Sequence, residues 1–292
     1  MPKHTRRAVI AIIFGTLIGL GMGWAGSQGG LQLGGIGIFM LCTLLAYLIN
    51  WIIYVPSALA QTEHYFDLTG ALTYLSMIAA ALFMSGNFSA RGVIASTMVA
   101  IWAIRLGAFL FRRVKKAGKD GRFDDLKTHP VIFFQVWTLQ GLWCVLTVAC
   151  ALAIITSGID KPIGLVGYIG IAVWIIGCAI EAIADHQKTR FKNDLKNEGD
   201  FINEGLWAWS RHPNYFGEIT LWTGMAILAF PILSGWQYAV LISPVFIYLL
   251  LTRVSGIPML ERRGKQKWGD DAEYQAYLAN TNRLLPWPPA AD

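Results

Sequence analysis

Long apolar runs separated by short polar segments dominate the chain. Eight runs stand out, over roughly 8–24, 36–60, 67–84, 93–111, 131–157, 161–184, 216–233 and 236–253. A helix needs about 20 apolar residues to cross a hydrocarbon core of ~30 Å. The runs are continuous rather than alternating and far exceed strand length, so the pattern predicts helices and no sheet. The expected fold is an all-α integral membrane protein, a multi-span transmembrane helical bundle with polar cytoplasmic loops. Lys3, Arg6 and Arg7 precede the first run, as in a signal peptide. That run exceeds the usual apolar core of a signal, and no clear cleavage site follows it. It is therefore read as a retained span.

Composition agrees: 55% of residues are hydrophobic and 14% charged, which places the chain in the membrane class. Charge placement then sets an orientation. With the N-terminus in the cytoplasm, 21 of 24 Lys and Arg fall on the cytoplasmic side: three before the first run, seven in 112–129, five in 185–215 and six from 253 onward. Arg91 and Lys161 fall outside, and Arg105 lies within a span. This bias follows the positive-inside rule and puts both termini in the cytoplasm. The net charge of +6 is thereby explained by topology and by attraction to anionic lipids or a phosphorylated cofactor. It requires no nucleic-acid partner.

The polar segments are too small for a separate soluble domain, so the chain reads as one domain over 1–292. Segment 112–129 carries turn signals at Gly118 and Gly121. Cys42, Cys144, Cys150 and Cys178 all lie in apolar runs without CxxC or His spacing, which predicts buried thiols, no disulfide and no metal. Gly21-Met22-Gly23-Trp24-Ala25-Gly26 matches GxGxxG but follows no strand. It is read as small residues for close helix packing rather than as a dinucleotide fingerprint.

Four polar constellations carry candidate chemistry. The densest is Arg211-His212-Pro213-Asn214-Tyr215-Phe216-Gly217-Glu218, which opens directly into an apolar run. Pro213 suits a first helical turn, and Glu218 lies near the positive end of the helix. Arg211, His212, Asn214 and Tyr215 together exceed what a helix start needs. Glu181 and Asp185 fall at i, i+4, with Lys188 and Lys192 further along the same stripe. The carboxylates suit ribose hydroxyls and the cations suit phosphates; a solvated helix end with ordinary ion pairs is the plainer alternative. Gln61, Glu63, His64, Tyr65 and Asp67 crowd the turn between the second and third runs, where a carboxyl can position or protonate a carbonyl oxygen. Arg105, with Trp102 one turn earlier, is a cation inside a span, either snorkelling or paired to a carboxylate or phosphate.

RHPNYFGE, the upstream DHQKTRFK and GLWAWS, and the tail ERRGKQKWGDDAEYQAYLANTNRLLPW resemble the C-terminal region of the steroid 5α-reductase superfamily. EHYFDLTGALTYL and WAIRLGAFLFRR look like its bacterial branch. The resemblance runs from about residue 36 to the end and is strongest over 181–285. It implies seven core spans with the segment 1–30 as an added span, a bacterial inner-membrane location, and a cytosol-facing NADPH site. By position, Asn214 matches the Asn that contacts the nicotinamide carboxamide, with Glu218 in the same motif, and Asp185 matches an Asp near the adenosine ribose. Lys192 stands where animal enzymes have Arg, and Glu181 where they have Asn. Arg105 matches an Arg on a core helix, and Trp102 falls where a substrate-contacting Tyr stands. Arg211, His212, Tyr215 and Tyr277 complete the implied cofactor region. The Gln-Glu pair that holds the steroid ketone in animal enzymes is missing. Gln61, Glu63 and Asp67 are the substitutes, with Glu63, protonated by poor solvation, favoured. The implied substrate is an apolar, steroid-like enone arriving from the bilayer.

A methyltransferase reading competes. Isoprenylcysteine and phospholipid methyltransferases have a similar Arg-His-Pro helix entrance, and Glu261, Trp268-Gly269, Tyr274 and Tyr277 fit their tail. They use S-adenosylmethionine. The upstream DLTG turn and the length preceding the motif favour the reductase. A non-catalytic sterol-binding membrane protein is the third alternative.

Overall fold

The computed structural model describes residues 2–117, 121 and 123–288; the turn expected at Gly118 lies outside them. Eight helical stretches among the described residues are long and apolar enough to cross a membrane. The chain is an all-α, multi-span membrane protein, and it divides into two compact units.

The first unit comprises 1–165 and 228–243. It contains helices α1 (Lys3–Ser27), α2 (Ile38–Leu59), α3 (Phe66–Ser85), α4 (Ala90–Ala117) and α5 (Pro130–Thr156). Helix α5 is apolar on all faces, and 83% of its most apolar window is buried, as expected of a helix at the centre of a bundle. It packs against α1, α2, α3 and α4. Helix α1 meets α2 along Gly15, Gly19, Gly23 and Gly26. Tyr47 Oη donates to Gly15 O at 2.7 Å, and a Cβ at Gly19 would overlap the Tyr47 ring. Gly23 faces Met40 and Thr43, and Gly26 faces Phe39. The GxGxxG match is thus helix packing, and α1 is an integral member of the unit.

The expectation of no strand needs one correction. Gln32–Leu33 (β1) and Ile36–Gly37 (β2) form a minimal antiparallel hairpin. Gly34 and Gly35, with φ of 58° and 82°, supply the paired positive φ of a tight primed hairpin turn. With two residues per strand it leaves no alternation to read. A second difference is Arg91, treated above as an external loop charge. It is buried, and its guanidinium donates to Leu228 O, Pro162 O and Ile163 O at 2.6, 2.8 and 3.1 Å.

The second unit comprises 166–227 and 244–292. It holds most of α6 (Gly164–Asn193), then α7 (Leu206–Trp209), most of α8 (Pro213–Ala229) and of α9 (Ile242–Leu249), then α10 (Ile257–Trp268) and α11 (Ala272–Asn280). Helices α6 and α8 run antiparallel in backbone contact. A Cβ at Gly177 would collide with Leu221 N and Gly217 O, one at Gly217 with Glu181 N, and one at Gly224 with Trp174 N. Only glycine permits this approach. The last span is composite: a 3₁₀ segment Gly235–Leu241, α9, a π turn Leu250–Val254 and α10.

Candidate functional site

The Arg-His-Pro-Asn turn occupies the start of α8, in the second unit. Pro213 fills the first helical position, where its missing N–H costs nothing. The turn before it is tied to the tail. Ser210 Oγ accepts from His212 N at 3.1 Å and donates to Leu284 O at 2.8 Å. Arg211 N donates to Asn282 O at 2.8 Å, and Trp287 N to Trp209 O at 3.0 Å. Residues 282–287 therefore form a strap across the turn.

Glu261 on α10 anchors the same region. Arg283 grips it through two bonds, Nε to Oε1 at 3.1 Å and Nη2 to Oε2 at 2.8 Å. Arg211 Nη1 lies 3.4 Å and His212 Nε2 3.7 Å from Oε1. His212 stacks on Tyr215, with ring centroids 5.7 Å apart and planes 12° apart. Burial holds the His212 imidazole below its usual pKa; Glu261 opposes this, and Lys188 and Arg211 reinforce it. Beneath the turn, Trp207 Nε1 donates to Ala184 O at 3.0 Å, and Tyr277 Oη to Trp207 O at 2.8 Å. Burial raises the Tyr277 phenol pKa. Lys188 Nζ sits 4.3 Å above the Trp207 ring, a cation–π contact that keeps the ammonium at the site.

The two polar helix ends are bonded to each other. Asn214 Nδ2 donates to Asp185 Oδ1 at 3.2 Å. Asp185 and Glu181 on α6, and Glu218 one turn into α8, are all buried. Lys192 is exposed. Several polar atoms of the turn are buried and hydrogen-bonded to nothing among the described residues: Asn214 Oδ1, Arg211 Nε and both ring nitrogens of His212. Leaving a buried polar group unsatisfied costs about 1–3 kcal/mol, so these atoms form a cluster of unfilled bonds suited to a polar ligand. The set includes an acceptor, a cationic donor and a neutral imidazole.

The structure thus gathers Glu181, Asp185, Lys192, Arg211, His212, Asn214, Tyr215, Glu218 and Tyr277 in the second unit. Gln61, Glu63, Asp67, Trp102 and Arg105 belong to the first. There, Glu63 is buried and receives Lys127 Nζ at 2.8 Å, with Asp124 Oδ1 3.6 Å from the same ammonium. The Glu63 hydrogen bond is the leading cause raising the Lys127 pKa. Glu63 is therefore an ion-paired carboxylate rather than the protonated acid expected above. Poor solvation alone favours protonation, but an ammonium at bonding distance reverses that preference. Gln61 is exposed and ends α2 in a left-handed conformation with φ of 46°. Its N–H reaches Ala58 O at 3.3 Å, and the Thr62 N–H reaches Ser57 O at 3.0 Å. These two bonds are those of a Schellman cap, which accounts for the positive φ. Asp67 is half-buried in the first turn of α3. Trp102 is buried edge-on against Tyr74 at 5.0 Å, and Arg105 is half-buried one turn later.

Sequence reasoning missed Lys127, Arg283 and the clasp role of Glu261. Lys127 stands 64 positions from Glu63 and Arg283 22 from Glu261, separations at which spacing carries no signal. The one local hint was that Lys127 is the last cation of the basic segment 112–129, just before an apolar run.

The family described as "Protein of unknown function (DUF1295)" matches residues 51–281. An uncharacterized protein of Schizosaccharomyces pombe is 22% identical over 228 residues, covering 68% of this chain and 64% of that protein. The 3-oxo-5-alpha-steroid 4-dehydrogenase 1 of Bos taurus is 32% identical over 71 residues, 24% of this chain and 27% of the bovine protein. The chain therefore spans less than two thirds of either relative. No solved structure matches it significantly.

Proposed function

We propose that this chain, a member of the DUF1295 family, is a membrane-embedded, NADPH-dependent reductase. Its substrate is a 3-oxo-Δ4-steroid or a similar apolar enone drawn from the bilayer. The observation that carries this reading is the buried, unfilled turn around Asn214, joined to a buried carboxylate at the ends of two spans. The partial likeness to a bovine steroid 4-dehydrogenase supports the reaction class.

The residues fit the cofactor's chemistry. Asn214 Oδ1 is a buried acceptor with no donor among the described residues, which suits a carboxamide N–H. Asp185 and Glu181 are buried acceptors for ribose hydroxyls. Lys188 and Lys192 are cations for phosphates, with Arg211 as a further donor. Tyr215 stacks on His212, Glu218 backs the same turn, and Tyr277 braces it through Trp207. Bound NADPH supplies the hydride. The protein's task is to orient the reactants, exclude water and polarise the enone. Within the first unit, Lys127 held by Glu63 is a hydrogen-bond donor of the kind that could polarise a carbonyl oxygen. An ammonium fixed by a buried carboxylate stabilises enolate-like charge without reorganising. Arg105 and Trp102 are assigned a supporting role on α4. Both termini and the cofactor region are placed on the cytoplasmic side of a bacterial inner membrane, as the basic segments favour.

The test is direct. Purified protein with NADPH and progesterone should yield a product two mass units heavier. The methyltransferase reading remains the second choice, favoured by the approach of Glu261 to Arg211 and His212. A product about fourteen units heavier with S-adenosylmethionine, and none with NADPH, would establish it instead.

A further inference from the structure

Away from the polar turn, the first unit buries a second set of unfilled polar atoms, where α2, α3 and α5 meet. Asn50 of α2 is fully buried. Its Nδ2 donates to Ala46 O at 2.8 Å and to Thr73 Oγ1 of α3 at 3.3 Å. Gln140 of α5 is also buried, and its Nε2 donates to Phe66 O, at the start of α3, at 2.7 Å. Because each amide bonds a backbone carbonyl, the bonding atom must be its nitrogen. Asn50 Oδ1 and Gln140 Oε1 are therefore acceptors, and both are buried with no donor among the described residues. Trp137 lies three residues before Gln140, on the same face of α5. Its ring meets Phe66 edge-on, with centroids 5.1 Å apart, and its buried Nε1–H has no acceptor among the described residues. We propose that this junction is an internal water-binding site.

Depth and chemistry choose the occupant. Gln140 stands ten residues into α5, about 15 Å along the helix. That is half of a ~30 Å hydrocarbon core. Asn50 stands nine residues from the end of α2, about 14 Å by the same rise. At this depth lipid offers neither donor nor acceptor, and each unfilled group costs about 1–3 kcal/mol. Two acceptors require O–H donors, and the indole N–H requires an acceptor. A water molecule supplies both kinds of bond. A hydroxyl ligand has a single proton to donate and leaves one acceptor unfilled. A divalent cation needs about six oxygen ligands and has no use for an indole donor. Both amides already tie their helices to α3, so the acceptor oxygens are held in place before anything binds. The inference is independent of the reductase reading.

The probe is hydroxyl radical made from water in place. A short X-ray pulse splits water throughout the sample, so a side chain hidden from bulk solvent is oxidised where water lies beside it. The full-length protein in nanodiscs is pulsed, oxidation is mapped by peptide mass, and each rate is divided by that of the free amino acid. Trp137 should be oxidised at least about fivefold faster than Met225, which is equally buried on α8, because only the first has water as a neighbour. Asn50→Leu/Gln140→Leu removes both acceptors and should slow Trp137 oxidation by about threefold or more, leaving the exposed Trp236 unchanged. Oxidation of Trp137 no faster than that of Met225 would overturn the proposal. So would an undiminished Trp137 rate in the double variant. The wild-type ratio decides the matter even if that variant does not fold.

Discussion

Replacing Asn214 with alanine isolates ligand binding from folding. The wild-type side chain donates to the buried Asp185 carboxylate at 3.2 Å and keeps its own Oδ1 buried without a donor. In the free protein, Asn214→Ala loses the first bond but also removes the orphaned acceptor. These effects oppose each other, each about 1–3 kcal/mol, so the unfolding temperature should move little. With NADPH bound, Oδ1 is satisfied and the offset vanishes. The variant then loses a hydrogen bond to a charged group and one to the cofactor, about 2–4.5 kcal/mol in all. That corresponds to roughly 30- to 2,000-fold in Kd. Titration calorimetry of NADPH on protein in nanodiscs, paired with thermal unfolding without cofactor, measures both quantities. Asn214→Asp sharpens the test by placing a carboxylate beside Asp185. Two carboxylates sharing a site raise one pKa, so its affinity should recover as the pH is lowered. An Asn214→Ala variant that binds NADPH within about threefold of wild type would refute the reasoning. So would a loss of affinity matched by an equal loss of stability.

Lys127→Met strips a buried carboxylate of its ammonium and should destabilise by about 2–3 kcal/mol, below the usual range for buried pairs because Lys127 is partly exposed. The double variant Glu63→Gln/Lys127→Met should regain part of that loss in thermal unfolding. Glu63→Ala should slow turnover by about 10²–10³-fold with NADPH affinity unchanged; wild-type turnover would remove Glu63 from the site. For His212, burial depresses the folded-state pKa, so the unfolded state takes up its proton first as pH falls. Its stabilising contribution should be full above about pH 6.5 and fade as pH drops through the depressed value. A His212→Gln variant whose unfolding temperature has the same acid dependence as wild type would contradict this. Deleting residues 1–30 should lower the unfolding temperature markedly, because α1 packs on α5 and receives Tyr47; an unchanged value would make α1 a dispensable addition.

The spans were legible because burying a backbone in lipid demands long uninterrupted apolar stretches, and such stretches dominate the sequence. Helical spacing also placed Glu181 and Asp185 on one face. The composite last span was harder to see. Residues 236–253 read as one run, yet the backbone passes from 3₁₀ through α to a π turn, changes that hydropathy does not register. At the site, the residue types of the Arg-His-Pro-Asn turn announced themselves, but their partners did not. Glu63 and Glu261 each stood out as carboxylates. What decides their charge, Lys127 and Arg283, is brought to them only by folding. The protonated Glu63 expected from burial alone failed for that reason.

The glycine contact between α6 and α8 has a consequence for how inherited variation in this family would be interpreted. Gly224 against Trp174, Gly217 against Glu181 and Asn214 against Asp185 are successive steps of one antiparallel register. Any side chain at Gly177 or Gly217 must push the helices apart, and a slip of one residue shifts Asn214 by about 1.5 Å along the axis. That is enough to break its bond to Asp185. A methyl group added in mid-membrane would therefore present in a genetic screen as a defect of the Asn214 turn. Lesions mapped by phenotype would scatter along the α6–α8 seam rather than cluster around that turn.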